Sequence, residues 1–245
     1  MKTDCLLILN HEIKNALNGI IGYTELLLKT NLNSEQEKYL ENININSLKL
    51  LHNINNILDY YKLINDQITN EPEDCNILLL INEIISLFHN IDKEKKINII
   101  IEEYVEIVYI DKEKLLQIIF SLILIFLEDN KNKINIKISK QKTNIIITIY
   151  SEIIFKYSKT IYNHLKFLKK EKLNNILSND LVDLSISYML CDFLNINLNY
   201  NISSSSPYIS SFILDIPYNK NIIYKDLKIL VVDDNLNNLK LLEDI

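Results

Sequence analysis

The segment Leu9–Leu28, "LNHEIKNALNGIIGYTELLL", sets His11 directly before Glu12 in a run of helical periodicity. An imidazole with its ordinary pKa near 6.5 is largely neutral at cellular pH and is a competent nucleophile. A neighbouring carboxylate can accept or orient the proton on the other ring nitrogen. The chemistry open to this pair is nucleophilic group transfer; the bland alternative is a polar pair on a solvated face. Leu6, Leu9, Ile13, Leu17, Ile20 and Leu27 fill one face at about 100° per residue, while His11, Asn15, Asn18 and Gly22 line the opposite one. Helical phase therefore predicts an exposed His11.

The element that positions this pair is a long helix ending near Leu28. After the break "KTNLNSEQE", Ser34 with Glu37 gives the signature of a helix start. The second helix carries Ile43, Leu50, Ile54, Ile57, Tyr61 and Ile64, a nearly coiled-coil seam. Two such helices cannot bury both apolar faces alone, so a dimeric four-helix bundle is expected. Around "NEPEDCN" the character changes. A helix is predicted over about 76–90, then a strand in "KINIIIEE". A buried helix in "DKEKLLQIIFSLILIFLED" is capped by Asp111. "KINIKISKQKTNIIITIYS" reads as a hairpin turning at "KQKT". A polar helix, the apolar helix "DLVDLSISYMLCDFL" and strands near "NINLNYNI" and "YISSFILDIP" follow. This order predicts an α+β sandwich.

Composition narrows the function classes. A net charge of −6 and a pI of about 5.3 leave no basic footprint for nucleic acid. Cys5, Cys75 and Cys191 lie far apart without a CxxC pair, which argues against a disulfide framework or zinc site. The longest apolar run, Ile118 to Leu127, is shorter than the ~20 residues a membrane span needs. "MKTDCLLILN" lacks the features of a signal peptide. A cytoplasmic location with no direct membrane insertion is expected. Average usage would supply roughly 17 glycines; the chain has two, Gly19 and Gly22. Backbone approach to a ligand commonly relies on glycine, and none remains beyond position 22.

The first two helices resemble the dimerisation and phosphoacceptor helices of hybrid sensor histidine kinases of two-component systems. The residues that carry the resemblance are His11, Glu12, Leu17, Asn18, "IIGYTELLL" and "NILDYYKL". It continues through "DKEKLLQIIFSLILIF" into a GHKL-type ATPase domain and ends in "ILVVDDN", similar to the start of a receiver. The resemblance implies that His11 is phosphorylated and passes the phosphoryl group to a receiver aspartate, with Glu12 as proton acceptor or orienter. Family members commonly have threonine and then proline where this chain has Asn15 and Ala16. Without proline the helix need not kink. A phosphatase role is implied for Asn15, beside the plain reading of an asparagine set by composition.

ATP and magnesium are implied by resemblance only, and the boxes that would hold them are degraded. Gln117 leads the asparagine box, but Ser121 and Ile125 stand at its asparagine positions. An aliphatic Ile125 cannot help hold magnesium. Ser151 or Glu152 stands near the adenine-recognising aspartate, with no glycine following. Leu181 and Asp183 stand near the later glycines, where bulk and negative charge oppose a polyphosphate. Non-standard groups could substitute, for instance Glu128, one turn beyond Ile125. Asp233 and Asp234 resemble the magnesium pair of receivers, but a strand and part of a helix cannot bury a core.

The expected division is a helical hairpin at 1–68, a degenerate ATPase-like domain at 69–217, a linker at 218–226 and a receiver fragment at 227–245. The expected function is a phosphorelay component with His11 as phosphoacceptor and no competent ATP site, a pseudokinase. Expected partners are a second copy or an active histidine kinase, and a response-regulator receiver. An active ATP-dependent histidine autokinase and a dimerising decoy without catalysis are the competing expectations.

Overall fold

The computed structural model describes residues 2–89, 97–102, 107–127, 133–141, 143–151, 158–168, 182–203 and 210–217. Helices α1 (Lys2–Leu28) and α2 (Ser34–Ile64) form an antiparallel hairpin. The α2 cap falls one residue before the Ser34–Glu37 pair that the sequence suggested. Asn33 Oδ1 accepts from the Glu35 and Gln36 amides at 3.1 and 2.9 Å, and Gln36 Oε1 accepts from the Asn33 amide at 3.1 Å. Asn33 wins because its side chain satisfies two orphan amides at once. Replacing Asn33 with alanine is expected to cost about 1 kcal/mol, read as a lowered denaturation midpoint.

The hairpin interior is mostly polar. Leu17, Thr24, Asn44 and Ser47 are buried, whereas Ile43, Leu50, Ile57 and Ile64, seven residues apart, are exposed by 46–61%. Ile13, Ile20 and Leu27 repeat the pattern on α1. The seam read in the sequence is thus left open, as expected for a face that needs a partner.

Beyond the hairpin lie β1 (Glu73–Asn76), α3 (Ile77–His89), β2 (Ile97–Ile101), β3 (Ile107–Ile110) and α4 (Lys112–Leu127). Then come β4 (Ile134–Gln141), β5 (Asn144–Ser151), α5 (Ser158–Leu168), α6 (Val182–Phe193), β6 (Asn197–Ile202) and β7 (Ser210–Pro217). Five strands form one sheet in the order β2-β4-β5-β7-β6, with only the β2–β4 pair parallel. β1 and β3 pair separately and antiparallel. On β5, Ile145, Ile147 and Ile149 alternate inward toward the helices, the period-two pattern of a half-covered sheet. One core joins this sheet to α3, α4, α5 and α6.

Glycine scarcity shows at the helix ends. α2 and α6 both close with a left-handed residue, Asp66 (φ 53°) and Asn195 (φ 58°). Around Asn195, the Ile196 amide donates to Cys191 and the Asn195 amide to Asp192, at 2.7 and 3.1 Å. This is the usual glycine motif, made here with residues whose short polar side chains tolerate the conformation.

Candidate functional site

His11 lies in the first half of α1; Glu12 follows it directly, Asn15 stands one turn on, and both are exposed. Lys14, one turn beyond His11, lines a cavity of about 290 Å³ between the hairpin and the α/β domain. Asn55, Asp59, Lys114 and Gln117 line it too. Burial pushes the Asp59 carboxyl up, against the pull of Lys62, a Gln117 hydrogen bond, Lys114 and Lys14.

The asparagine-box positions sit on α4. Asp111 caps this helix as expected, accepting from the Lys114 amide at 3.1 Å and from the Lys114 ammonium. Burial alone would raise its carboxyl, but Lys114 and the Glu71 and Lys114 amides outweigh that and hold it below the usual range. Ile125 packs against the apolar core. Ser121 is buried, and its Oγ lies 3.0 Å from the Gln117 carbonyl and 2.8 Å from His52 Nε2, the two acceptors that share its one proton. Ser151, at the end of β5, is fully buried opposite Ser210. Asp183 lies in the first turn of α6. Glu128, Glu152, Leu181, Asp233 and Asp234 lie outside the described residues, as do the linker and receiver segments.

A buried polar cluster that the sequence reading did not single out joins these positions to α2. Asn56 Nδ2 donates to Asp183 Oδ1 at 2.7 Å and lies 3.0 Å from His52 Nε2; Gln117 Nε2 donates to Asn56 Oδ1 at 2.6 Å. A carboxylate only accepts, so Asp183 fixes the Asn56 amide with its NH₂ outward. The second N–H of that NH₂ then meets His52 Nε2, which must present a lone pair. His52 is therefore neutral and protonated on Nδ1. Burial lowers its imidazole to about 4, with Asp183 pulling weakly the other way. The signal available in the sequence was the i, i+4 pair His52 and Asn56 on one helical face.

Two thiols among the described residues are unreactive by environment. Burial pushes the Cys75 thiol up to about 11 and the Cys191 thiol higher still, so neither is a ready thiolate. His164 is lowered by burial and bonds Ser185 at 2.8 Å. Among the described residues no three His, Cys, Asp or Glu side chains converge to hold a metal, and no helix is long and apolar enough to cross a membrane.

Comparison with known proteins bears on the hairpin and on the fold. Residues 1–66 match the model of the His Kinase A (phospho-acceptor) domain. Hybrid signal transduction histidine kinase A of Dictyostelium discoideum is 44% identical over 69 residues, covering 28% of this chain and 3% of that protein. Aerobic respiration control sensor protein ArcB of Escherichia coli is 34% identical over 100 residues, covering 40% of this chain and 13% of the relative. The chain thus spans a small part of these curated relatives. In fold it is similar to full-length ShkA, crystallised with AMPPNP, with a TM-score of 0.54 at 17% identity over 88% of this chain and 46% of that one. It is likewise similar to the Acinetobacter baumannii histidine kinase AdeS, with a TM-score of 0.51 at 15% identity over 84% of this chain and 94% of AdeS.

Proposed function

We propose that this chain, similar to two-component sensor histidine kinases in its phosphoacceptor helices and its fold, is a relay component that does not charge its own histidine. His11 takes a phosphoryl group from ATP held by another kinase's ATPase domain. The nitrogen–phosphorus bond forms as the bond to ADP breaks, and Glu12 receives or orients the ring proton. The phosphoryl group then passes to a receiver aspartate of a response regulator, and Asn15 is the residue that would orient water for the reverse, phosphatase direction.

The observation that carries this reading is the chemistry of the α4–α6 face. Magnesium and a triphosphate ask for oxygen ligands and open backbone amides. That face offers the aliphatic Ile125, a Ser121 hydroxyl already engaged, and the Asp183 carboxylate bonded to α2. No glycine follows Gly22 to restore close backbone approach. The residues present do not fit the nucleotide, so the chain reads as a pseudokinase with its ATPase-like domain at 69–217 and its hairpin at 1–68. Incubation with ATP alone should leave it unphosphorylated, and adding an active histidine kinase of the same cell should place acid-labile phosphate on it. Self-phosphorylation would sink the reading.

The hairpin seam supports a dimer, either of two copies or with an active kinase. Leu50 and Ile57 are 49% and 61% exposed in one chain, and burying each such side chain is worth about 1.5–3 kcal/mol. Changing both to glutamate should convert the dimer to a monomer in light scattering at micromolar concentration. An unchanged mass would place the interface elsewhere.

A further inference from the structure

Three residues of the α4–α6 face, Gln117, Ser121 and Asp183, bond to α2. We propose that His52 and Asn56 form an intramolecular latch that holds α2 across the α4–α6 face, and that acidification opens it. The inference concerns a second property of that face, and its test leaves the reading of His11 untouched.

The Asn56 amide is fully engaged. Asn56 is 1% exposed and uses its amide oxygen and both N–H groups, on Gln117, Asp183 and His52. Buried polar networks hold well when every member is satisfied and poorly when one is not. A proton on His52 Nε2 would set N–H against N–H at Asn56. Among the described residues its one acceptor within reach is Ser121 Oγ, which leaves the Asn56 amide without its partner. Acid therefore removes a bond from the bridge and adds a charge to a buried contact.

The charged groups around the imidazole do not cancel this. α6 brings Asp183, which favours the cation. α4 turns Lys114 and Glu113 toward the cavity that His52 lines, α1 brings Lys14, and α2 itself adds Asp59 two turns on. From α3 the cavity receives Leu87, and Phe120 of α4 tilts against the imidazole at 4.9 Å. Two lysines against three carboxylates leave burial as the dominant influence on the ring.

The direction follows from linkage. Above the ordinary imidazole pKa of about 6.5 neither form takes the proton and docking is at full strength. As pH falls toward about 4, where the docked ring titrates, the released α2 binds a proton that the docked form refuses. Between about pH 7.5 and pH 5 the equilibrium should move toward the released form by about 30-fold.

Ser187 gives a probe. It lies one turn from Asp183 on the same face of α6, is 1% exposed, and its hydroxyl has no partner among the described residues. The thiol of a Ser187→Cys variant reads whether release of α2 uncovers this turn of α6. Cys191, a further turn along α6 and buried in the core, reports global unfolding. The full chain is modified by a disulfide reagent active in acid, and each thiol's rate is normalised to its rate in denaturant. The rate at position 187 should rise about 30-fold from about pH 7.5 to pH 5. Cys191 should stay flat, and His52→Gln, which accepts from Asn56 but cannot titrate, should abolish the rise. A flat rate at position 187 with His52 in place, a parallel rise at Cys191, or an equal rise in the His52→Gln background would each overturn the latch.

Discussion

Replacing His11 with alanine should abolish capture of phosphate from an active kinase, a complete loss where other single changes give partial ones. The chain has four histidines, His11, His52, His89 and His164. His52 is 7% exposed and held in the latch, and His164 is tied to Ser185. Buried His52 therefore offers no free nucleophilic nitrogen to a second protein. His11 falls within the segment that matches the phosphoacceptor model. Alanine is the best helix former, so the change should leave α1 and the dimer intact. The measurement is acid-labile phosphate after incubation with an active kinase and ATP, mapped by mass spectrometry. Label persisting in the alanine variant would assign the acceptor role to another residue.

Phe126→Ala should have the largest effect on stability. Phe126 closes α4, is fully buried, and meets Phe212 of β7 edge-on at 5.4 Å between ring centres. It therefore joins the helix layer to β7, the strand beside the β6 edge of the sheet. Truncating a buried phenylalanine to alanine costs about 3–5 kcal/mol through lost transfer energy and the cavity left behind. Typical domains hold only about 5–15 kcal/mol in total. Chemical denaturation should show a midpoint shift of that size, with Phe126→Leu recovering much of it. A shift below about 1 kcal/mol would mean that α4 repacks without its anchor.

Much of this molecule can be read from residue order, and what cannot has definite physical causes. Sequence-local signals succeeded: the heptad of Ile43, Leu50, Ile57 and Ile64, the Asp111 cap, and the "KQKT" turn joining β4 to β5 in register from Ile134–Ser151 to Gln141–Asn144. Strands β1 and β3 escaped notice because each has four residues and gains its identity only by pairing with the other. The α2 cap slipped by one residue because Asn33 and Ser34 are both competent caps, and geometry chose between them. The latch was invisible for a different reason. Its bonds span 61, 69 and 127 residues in sequence, and no periodicity marks a polar contact between separate elements. The asparagine-box reading of Ser121 and Ile125 rests on residue order, but that Ser121 would meet His52 could not be read there.

Calorimetric titration of the full chain with magnesium ATP reads whether the α4–α6 face holds a nucleotide. The expected trace shows only the heat of dilution up to millimolar nucleotide, with no phosphate on the protein afterwards. Saturable binding in the micromolar range, followed by phosphate on His11 without any added kinase, would contradict it.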